Sequence, residues 1–308
     1  ATPPLQWRQI AQDGVQFAPE NYMTVGAVNN PVNLGAANRA DLLVKAPAKT
    51  GKYTLCVVPN IGLALAPGVP SAPDPPAPLL TVNVSGSPVN PTQSLIPNGH
   101  PGYPTFPAFL SDITDQEISG RKRTIVFSAG STQIDGKSFQ DHHIDQTMQV
   151  NTAEEWTVMN QADDKEHPFH IHINPFQVTE VFQPNSPEAL TKGSTCYVDP
   201  YDPSTWKPCP PRQLPAPWVW WDVFSIPAGQ TNTLPCTELS KCPVQLQPYT
   251  TCSNGTCTET IPGWFKMRSR FVDFTGQYVL HCHILIHEDR GMMQGVQVVS
   301  DTTPYGHH

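Results

Sequence analysis

The sequence predicts an all-β protein built from β-sandwiches, and three observations carry that expectation. The 308 residues include 35 prolines, about twice the usual ~5%. Proline removes a backbone donor and breaks helix interiors, so this content favours short strands joined by loops. Short runs rich in Val, Ile, Thr and aromatic residues recur along the chain, bounded by Gly, Pro, Asn or Asp. No long stretch shows helical periodicity; a turn or two after His283 is the best helix candidate. With 7 Trp, 8 Tyr and 12 Phe the chain is no disordered Pro-rich tract.

In chain order, strands are expected at Leu42–Val44, Tyr53–Val58, Leu79–Val84, Thr124–Phe127, Glu155–Met159, Phe176–Phe182, Trp218–Phe224, Phe265–Phe271, Gln277–Cys282 and Gly295–Val299. The segment from Pro59 to Pro107 is dense in Pro, Ala, Ser and Gly, broken by the 79–84 strand, and reads as a boundary followed by a linker. The expected organisation is therefore a partial domain over 1–88, a Pro-rich linker over 89–121 and a complete sandwich over 122–308. Two polar, Pro-rich insertions interrupt that sandwich at 183–217 and 234–263. Three or four clear strands in 1–88 are too few for an ordinary sandwich.

Charge narrows the function classes. Lys+Arg 18 against Asp+Glu 26 gives a net charge of −8. No basic surplus exists to neutralise phosphates, so no nucleic-acid partner is expected. No apolar run approaches the roughly 18 residues of a membrane-spanning helix, so no membrane partner is expected either. The chain opens Ala1-Thr2-Pro3-Pro4, which reads as a processed or truncated product, and Gly306-His307-His308 reads as the stub of a tag.

Six of the eight cysteines fall in the two insertions, where packing alone is a poor source of order and disulfides are the natural staple. Local pairing is expected, Cys196 with Cys209, Cys236 with Cys242 and Cys252 with Cys257. Such pairs place the protein in an oxidising compartment, secreted, extracellular or periplasmic. Cys56 reads as a small buried hydrophobe in a strand, or as the partner of a segment outside the chain. Asn83-Val84-Ser85 and Asn254-Gly255-Thr256 are possible glycosylation sequons.

Two histidine clusters carry the chemistry. In His167-Pro168-Phe169-His170-Ile171-His172, strand alternation points His170 and His172 the same way, while His167, before Pro168, can serve another site. In His281-Cys282-His283-Ile284-Leu285-Ile286-His287, followed by Met292, His281 and His283 share one face and Cys282 takes the other. Two metal sites, back to back, follow. One thiolate, two imidazoles and a thioether, from Cys282, His167, His287 and Met292, match the trigonal blue-copper site with its long axial Met. The opposite face offers the imidazoles of His170, His172, His281 and His283, which suit copper or zinc. A structural zinc would explain the histidines but not a Cys flanked by His with a Met trailing it.

HPFHIH and HCHILIHEDRGM resemble the third and fourth copper-binding motifs of multicopper oxidases, the family of laccases, bilirubin oxidases and spore-coat laccases. The resemblance extends through Arg270–Tyr278 and Trp221-Asp222. Upstream, Ile10–Gly14 and Asn38–Val44 resemble the last strands of that family's middle domain. It implies cupredoxin-like Greek-key sandwiches, one complete and one partial. It also implies a type 1 copper on His167, Cys282, His287 and Met292, a type 2 copper on His170, and a type 3 pair on His172, His281 and His283. Electrons from a phenolic or similar small-molecule donor would pass through Cys282 to its neighbours, and oxygen would be reduced to water. Glu288, after the type 1 His, would help supply protons as in spore-coat laccases, or is a solvated charge beside Asp289 and Arg290.

The sequence departs from the family in one respect. The cluster takes eight histidines, half of them from two His-X-His motifs in the first domain. Apart from the two clusters the chain has His100, His142, His143, His307 and His308, and none forms such a pair. An N-terminal multicopper oxidase domain is therefore the expected partner. The alternative is a self-standing blue-copper electron carrier, or a copper-binding protein, without oxygen reduction.

Overall fold

The computed structural model describes residues 5–21, 23–25, 32, 34–57, 77–87, 105–184, 211–234, 250–253 and 256–300. Cys196, Cys209, Cys236, Cys242 and residues 89–104 of the expected linker lie outside them. The chain forms two compact units, residues 1–34 with 38–111 and residues 35–37 with 112–308.

In the first unit, β1 (Gln6–Gln12) pairs antiparallel with β2 (Val15–Gln16), β3 (Met23–Val25) and β4 (Ala40–Lys45). Asp13 and Gly14 form the tight β1–β2 turn with φ of 53° and 84°, the pairing that a two-residue hairpin with left-handed residues prefers. The buried Asp13 carboxylate accepts hydrogen bonds from the Asn38 amide (3.0 Å) and the Arg39 main-chain N–H (2.9 Å). The two upstream segments singled out from sequence are thus neighbours. A separate ribbon joins β5 (Gly51–Val57) to β6 (Ala77–Val84). Cys56 on that ribbon is a free, exposed thiol, which corrects its reading as a buried hydrophobe: a two-stranded ribbon leaves side chains uncovered, as Leu79 and Leu80 beside it show.

The second unit is a two-sheet β-sandwich. Its strands are β7 (Lys122–Phe127), β8 (Gln146–Gln149), β9 (Thr152–Asn160), β10 (His167–Ile171), β11 (Phe176–Phe182), β12 (Arg212–Gln213), β13 (Trp220–Trp221) and β14 (Val223–Ile226). They continue with β15 (Gln230–Leu234), β16 (Thr250–Ser253), β17 (Thr256–Ile261), β18 (Gly263–Phe271), β19 (Gly276–Cys282) and β20 (Met293–Val299). One sheet runs β14-β10-β19-β20-β8 and the other β12-β11-β18-β9-β7, with β13 against β11. Phe169, Ile171, Leu280 and Val296 from the first meet Ile125, Trp156, Phe176 and Phe265 from the second in one core. Phe169 touches Phe176 and Phe265 edge-on at 5.6 and 5.9 Å. Each such ring contributes roughly 1.5–3 kcal/mol by leaving water. On β18 alternate residues Phe265, Met267 and Phe271 face this core. The intervening Lys266, Arg268 and Arg270 lie over Trp264, Trp218 and Trp220 on the outer face.

Three expectations change in detail. The run Trp218–Phe224 is no single strand: β13 pairs with β11 in one sheet and β14 with β10 in the other, the chain crossing over at Asp222. Insertion 234–263 carries strand pairing of its own: β15, β17 and β16 form a three-stranded ladder of Thr-rich segments. The end of the expected linker, 112–121, packs within the second unit. There α1 (Asp115–Ile118) starts at a Thr114–Glu117 capping box. Asp112 accepts hydrogen bonds from Gln177 and from the Trp218 N–H. The predicted turn after His283 is α2 (Leu285–Asp289). No helix among the described residues is long and apolar enough to cross a membrane.

Arg270 fastens α1 to β18 through a two-pronged pair with Glu117, at 2.7 and 3.2 Å. That hydrogen bonding holds the Glu117 carboxyl down to about 2. A depressed carboxyl adds stability that is complete above its ordinary value of about 4.5 and is lost as pH falls towards 2. The pair is partly exposed, so its worth is below about 1 kcal/mol. Urea midpoints of the wild type and Glu117→Gln should differ at pH 6 and converge between pH 4.5 and 2. A gap that stays constant over that window would contradict the assignment.

Candidate metal centre

Both metal sites grow from one strand pair. On β10 and β19 the register sets Phe169 opposite Cys282, His170 opposite His281 and Ile171 opposite Leu280. Phe169, Ile171, Leu280 and Cys282 all enter the core. Side chains alternate along a strand, so His170 and His281 must leave by the outer face. His172 and His283 continue that outer row. Their main-chain N–H groups donate to Val279 (3.1 Å) and Pro168 (2.8 Å), which keeps the strand ends paired beyond the ladder.

On the core side, Nδ1 of His167 lies 3.4 Å from Sγ of Cys282, Nδ1 of His287 lies 3.7 Å from it, and the two nitrogens are 3.3 Å apart. Metal–nitrogen bonds of about 2.0–2.1 Å and a metal–sulfur bond of about 2.3 Å give a trigonal site edges of about 3.6 and 3.8 Å. The three donor atoms fit such a site within a few tenths of an ångström. Met292 is fully buried in the same core cluster. Its N–H donates to the His287 carbonyl (2.9 Å) and its carbonyl accepts from the Cys282 N–H (3.0 Å). His167, Cys282 and His287 are thus brought together, and Met292 is bonded through its main chain to two of them.

Burial tunes these donors. It pushes the Cys282 thiol up to about 11. Burial, then the neighbouring His287, pulls the His167 imidazole down to about 4. Burial also lowers His287. Near neutral pH His167 therefore offers a lone pair, while the thiol keeps its proton until a cation displaces it.

On the outer face, His172 and His281 approach Nε2 to Nε2 at 3.3 Å. The ring centres of His170, His172, His281 and His283 stand 4.9 to 5.5 Å from their neighbours. Ligand atoms of His170, His172 and His281 lie within 4.8 Å of one another, and His283 flanks that group. Burial lowers His172 and His281, favouring neutral, ligating rings. Two contacts aim them. Nδ1 of His170 donates to the Asp222 carbonyl at 2.7 Å, and Nδ1 of His281 faces the Cys282 carbonyl and the Glu288 carboxylate at 3.1 and 3.2 Å. Both contacts leave Nε2 for a metal. Glu288 is thus a partner of His281 and not simply a solvated charge. Sequence reasoning missed the Asp222 carbonyl, a main-chain group created where the chain changes sheet. Only the extension of the family resemblance to Trp221-Asp222 hinted at it.

A sequence profile described as multicopper oxidase matches residues 110–236 and 245–302. Among curated relatives, the multicopper oxidase mco of Staphylococcus aureus is 28% identical over 168 residues, 54% of this chain and 24% of that protein. A laccase of Bacillus subtilis is 24% identical over 155 residues, 50% of this chain and 22% of its own length. The matched part is thus about a quarter of either relative. Among solved structures, a laccase from Pediococcus acidilactici superposes with a TM-score of 0.53 at 18% identity, covering 96% of this chain and 46% of that one. This last likeness is one of fold.

One proton must leave when a cation binds on the core side, from Cys282. Apparent affinity should therefore rise about tenfold per pH unit between pH 7 and 9. A competition titration with Co2+, followed by the thiolate charge-transfer band, measures that slope. A pH-independent affinity would contradict the protonated thiol.

Proposed function

Because the chain belongs to the multicopper oxidase family, we propose that it is the electron-entry half of a laccase-like oxidase. His167, Cys282 and His287, together with Met292, would hold the type 1 copper. His170, His172, His281 and His283 supply half the ligands of an oxygen-reducing copper cluster, His170 towards the type 2 ion and the others towards the type 3 pair. An N-terminal domain carrying two His-X-His motifs supplies the other half. Bound copper contributes one-electron redox chemistry in both places.

The observation that carries this reading is that Cys282 lies in the core while its chain neighbours His281 and His283 extend the outer face. The route between the two ligand sets is therefore one residue long, through covalent bonds. His287 is only half-buried, so its outward edge is where a phenolic donor meets the site. The contact of Glu288 with Nδ1 of His281 supports a role in fixing that ring's tautomer and in relaying protons on the imidazole side. The cysteine content supports a secreted, extracellular or periplasmic protein. The backbone register, which sets Cys252 opposite Cys257, supports the expected disulfide between them.

A second reading rests on the completeness of the core-side donor set within this chain: a self-standing blue-copper electron carrier. Copper stoichiometry, absorption and EPR spectra separate the two. The full chain loaded with copper should show one thiolate-bound blue copper, and Cys282→Ser should lose that band while keeping imidazole-bound copper. Oxygen uptake with a phenolic donor should be near background alone and appear on adding the N-terminal domain of such an oxidase. Blue copper with no uptake after that addition favours the electron carrier, and a colourless copper-bound wild type removes the type 1 assignment.

A further inference from the structure

We propose that the segment between β7 and β8, residues 128–145, is a brace that fixes the position of the axial ligand Met292; Thr132 and Asp135 are its positioning residues. The inference rests on the type 1 reading above and concerns the setting of that site's potential.

Besides its own main-chain bonds to His287 and Cys282, Met292 is flanked by four contacts to this segment, two on each side. Before it, the Thr132 hydroxyl donates to the Arg290 carbonyl at 3.0 Å, and the Phe139 N–H donates to the Gly291 carbonyl at 2.9 Å. After it, the Gln294 amide donates to Asp135 Oδ2 at 2.9 Å. Gly295 and Asp145 close a two-way clasp, its N–H to the Asp145 carboxylate and the Asp145 N–H to its carbonyl, both at 2.9 Å. Asp135 is itself fixed. It opens a left-handed Asp-Gly turn, φ 52° then 74°, and its other oxygen accepts from the Val126 N–H at 2.8 Å. The brace is thus tied to the rigid strand β7.

The fit is close enough to require glycine on both sides of the ligand. Gly291 has φ of +93°, and a Cβ there would lie 3.2 Å from the Phe139 nitrogen. A Cβ at Gly295 would collide with the His143 carbonyl. Neither contact involves Cys282, His167 or His287.

The physical reason for such a brace lies in the bond it serves. The axial thioether bond of a type 1 copper is long and weak, and the potential depends on it. A weak bond cannot set its own length against the chain that carries it, so the frame around Met292 decides it. Loosening the frame lets the thioether withdraw, which favours the reduced ion.

The test compares the copper-loaded full chain with Thr132→Val, Thr132→Ser, Asp135→Ala and, as a control on the same turn, Lys137→Ala. Thr132→Val and Asp135→Ala should raise the ratio of Cu(I) to Cu(II) affinity about threefold, or about 28 mV at ~59 mV per tenfold, and change the type 1 EPR hyperfine splitting. Thr132→Ser should restore both values, and Lys137→Ala should match the wild type. A structural role alone would lower the melting temperature and leave potential and splitting unchanged; that result overturns the brace, as does an equal shift in the control. A wild type that binds copper without a thiolate band would overturn the type 1 reading, and the brace with it, before any variant is compared.

Discussion

The pairing of β10 with β19 is the constraint on which both sites depend. Strand side chains alternate with a period of two, so a slip of one residue would exchange the faces of a whole strand. With Phe169 opposite Cys282, the thiol enters the core beside His167, and His170 and His281 meet on the far side. The register is fixed by apolar residues, not by the ligands. Phe169, Ile171 and Leu280 are fully or almost fully buried, and turning them out would forfeit several kcal/mol. The core sandwich therefore dictates which metal chemistry each face of the strand pair offers.

The same burial shapes the donors. A thiol pushed up to about 11 and an imidazole pulled down to about 4 are two consequences of one cause, the cost of a charge away from water. They leave a site that is neutral until a cation arrives, at the end of a packed core. The outer imidazoles differ: they stand on a partly open face and are aimed by a main-chain carbonyl and by Glu288. One set converges within this chain alone. The other is a surface whose remaining ligands come, on our proposal, from another domain.

Much of this was legible in the sequence, because the two motifs carry their geometry in their spacing. Alternation alone separates Cys282 from His281 and His283, and strands such as Phe176–Phe182 stand out by composition. What stayed hidden is what local pattern does not encode. The crossing at Asp222 divides an apolar run that reads as one strand, since both halves are equally β-prone. The carbonyl that orients His170 belongs to the main chain, which no residue type announces. Cys56 is exposed because its ribbon has only two strands, a property of topology. The capping box at Thr114–Glu117 was visible in principle but lay in a segment whose prolines read as linker. The hold on Met292 comes from a loop some 150 residues earlier.

The central claim is that one strand pair presents two ligand sets on opposite faces. Anomalous diffraction at the copper edge, on crystals of the copper-loaded 308-residue chain, tests it most directly. The account predicts one metal within the triangle of His167, Cys282 and His287, and any further metal on the imidazole side, against His170, His172 and His281. A single metal bound by Cys282 together with His281 or His283 would place those side chains on one face and contradict it.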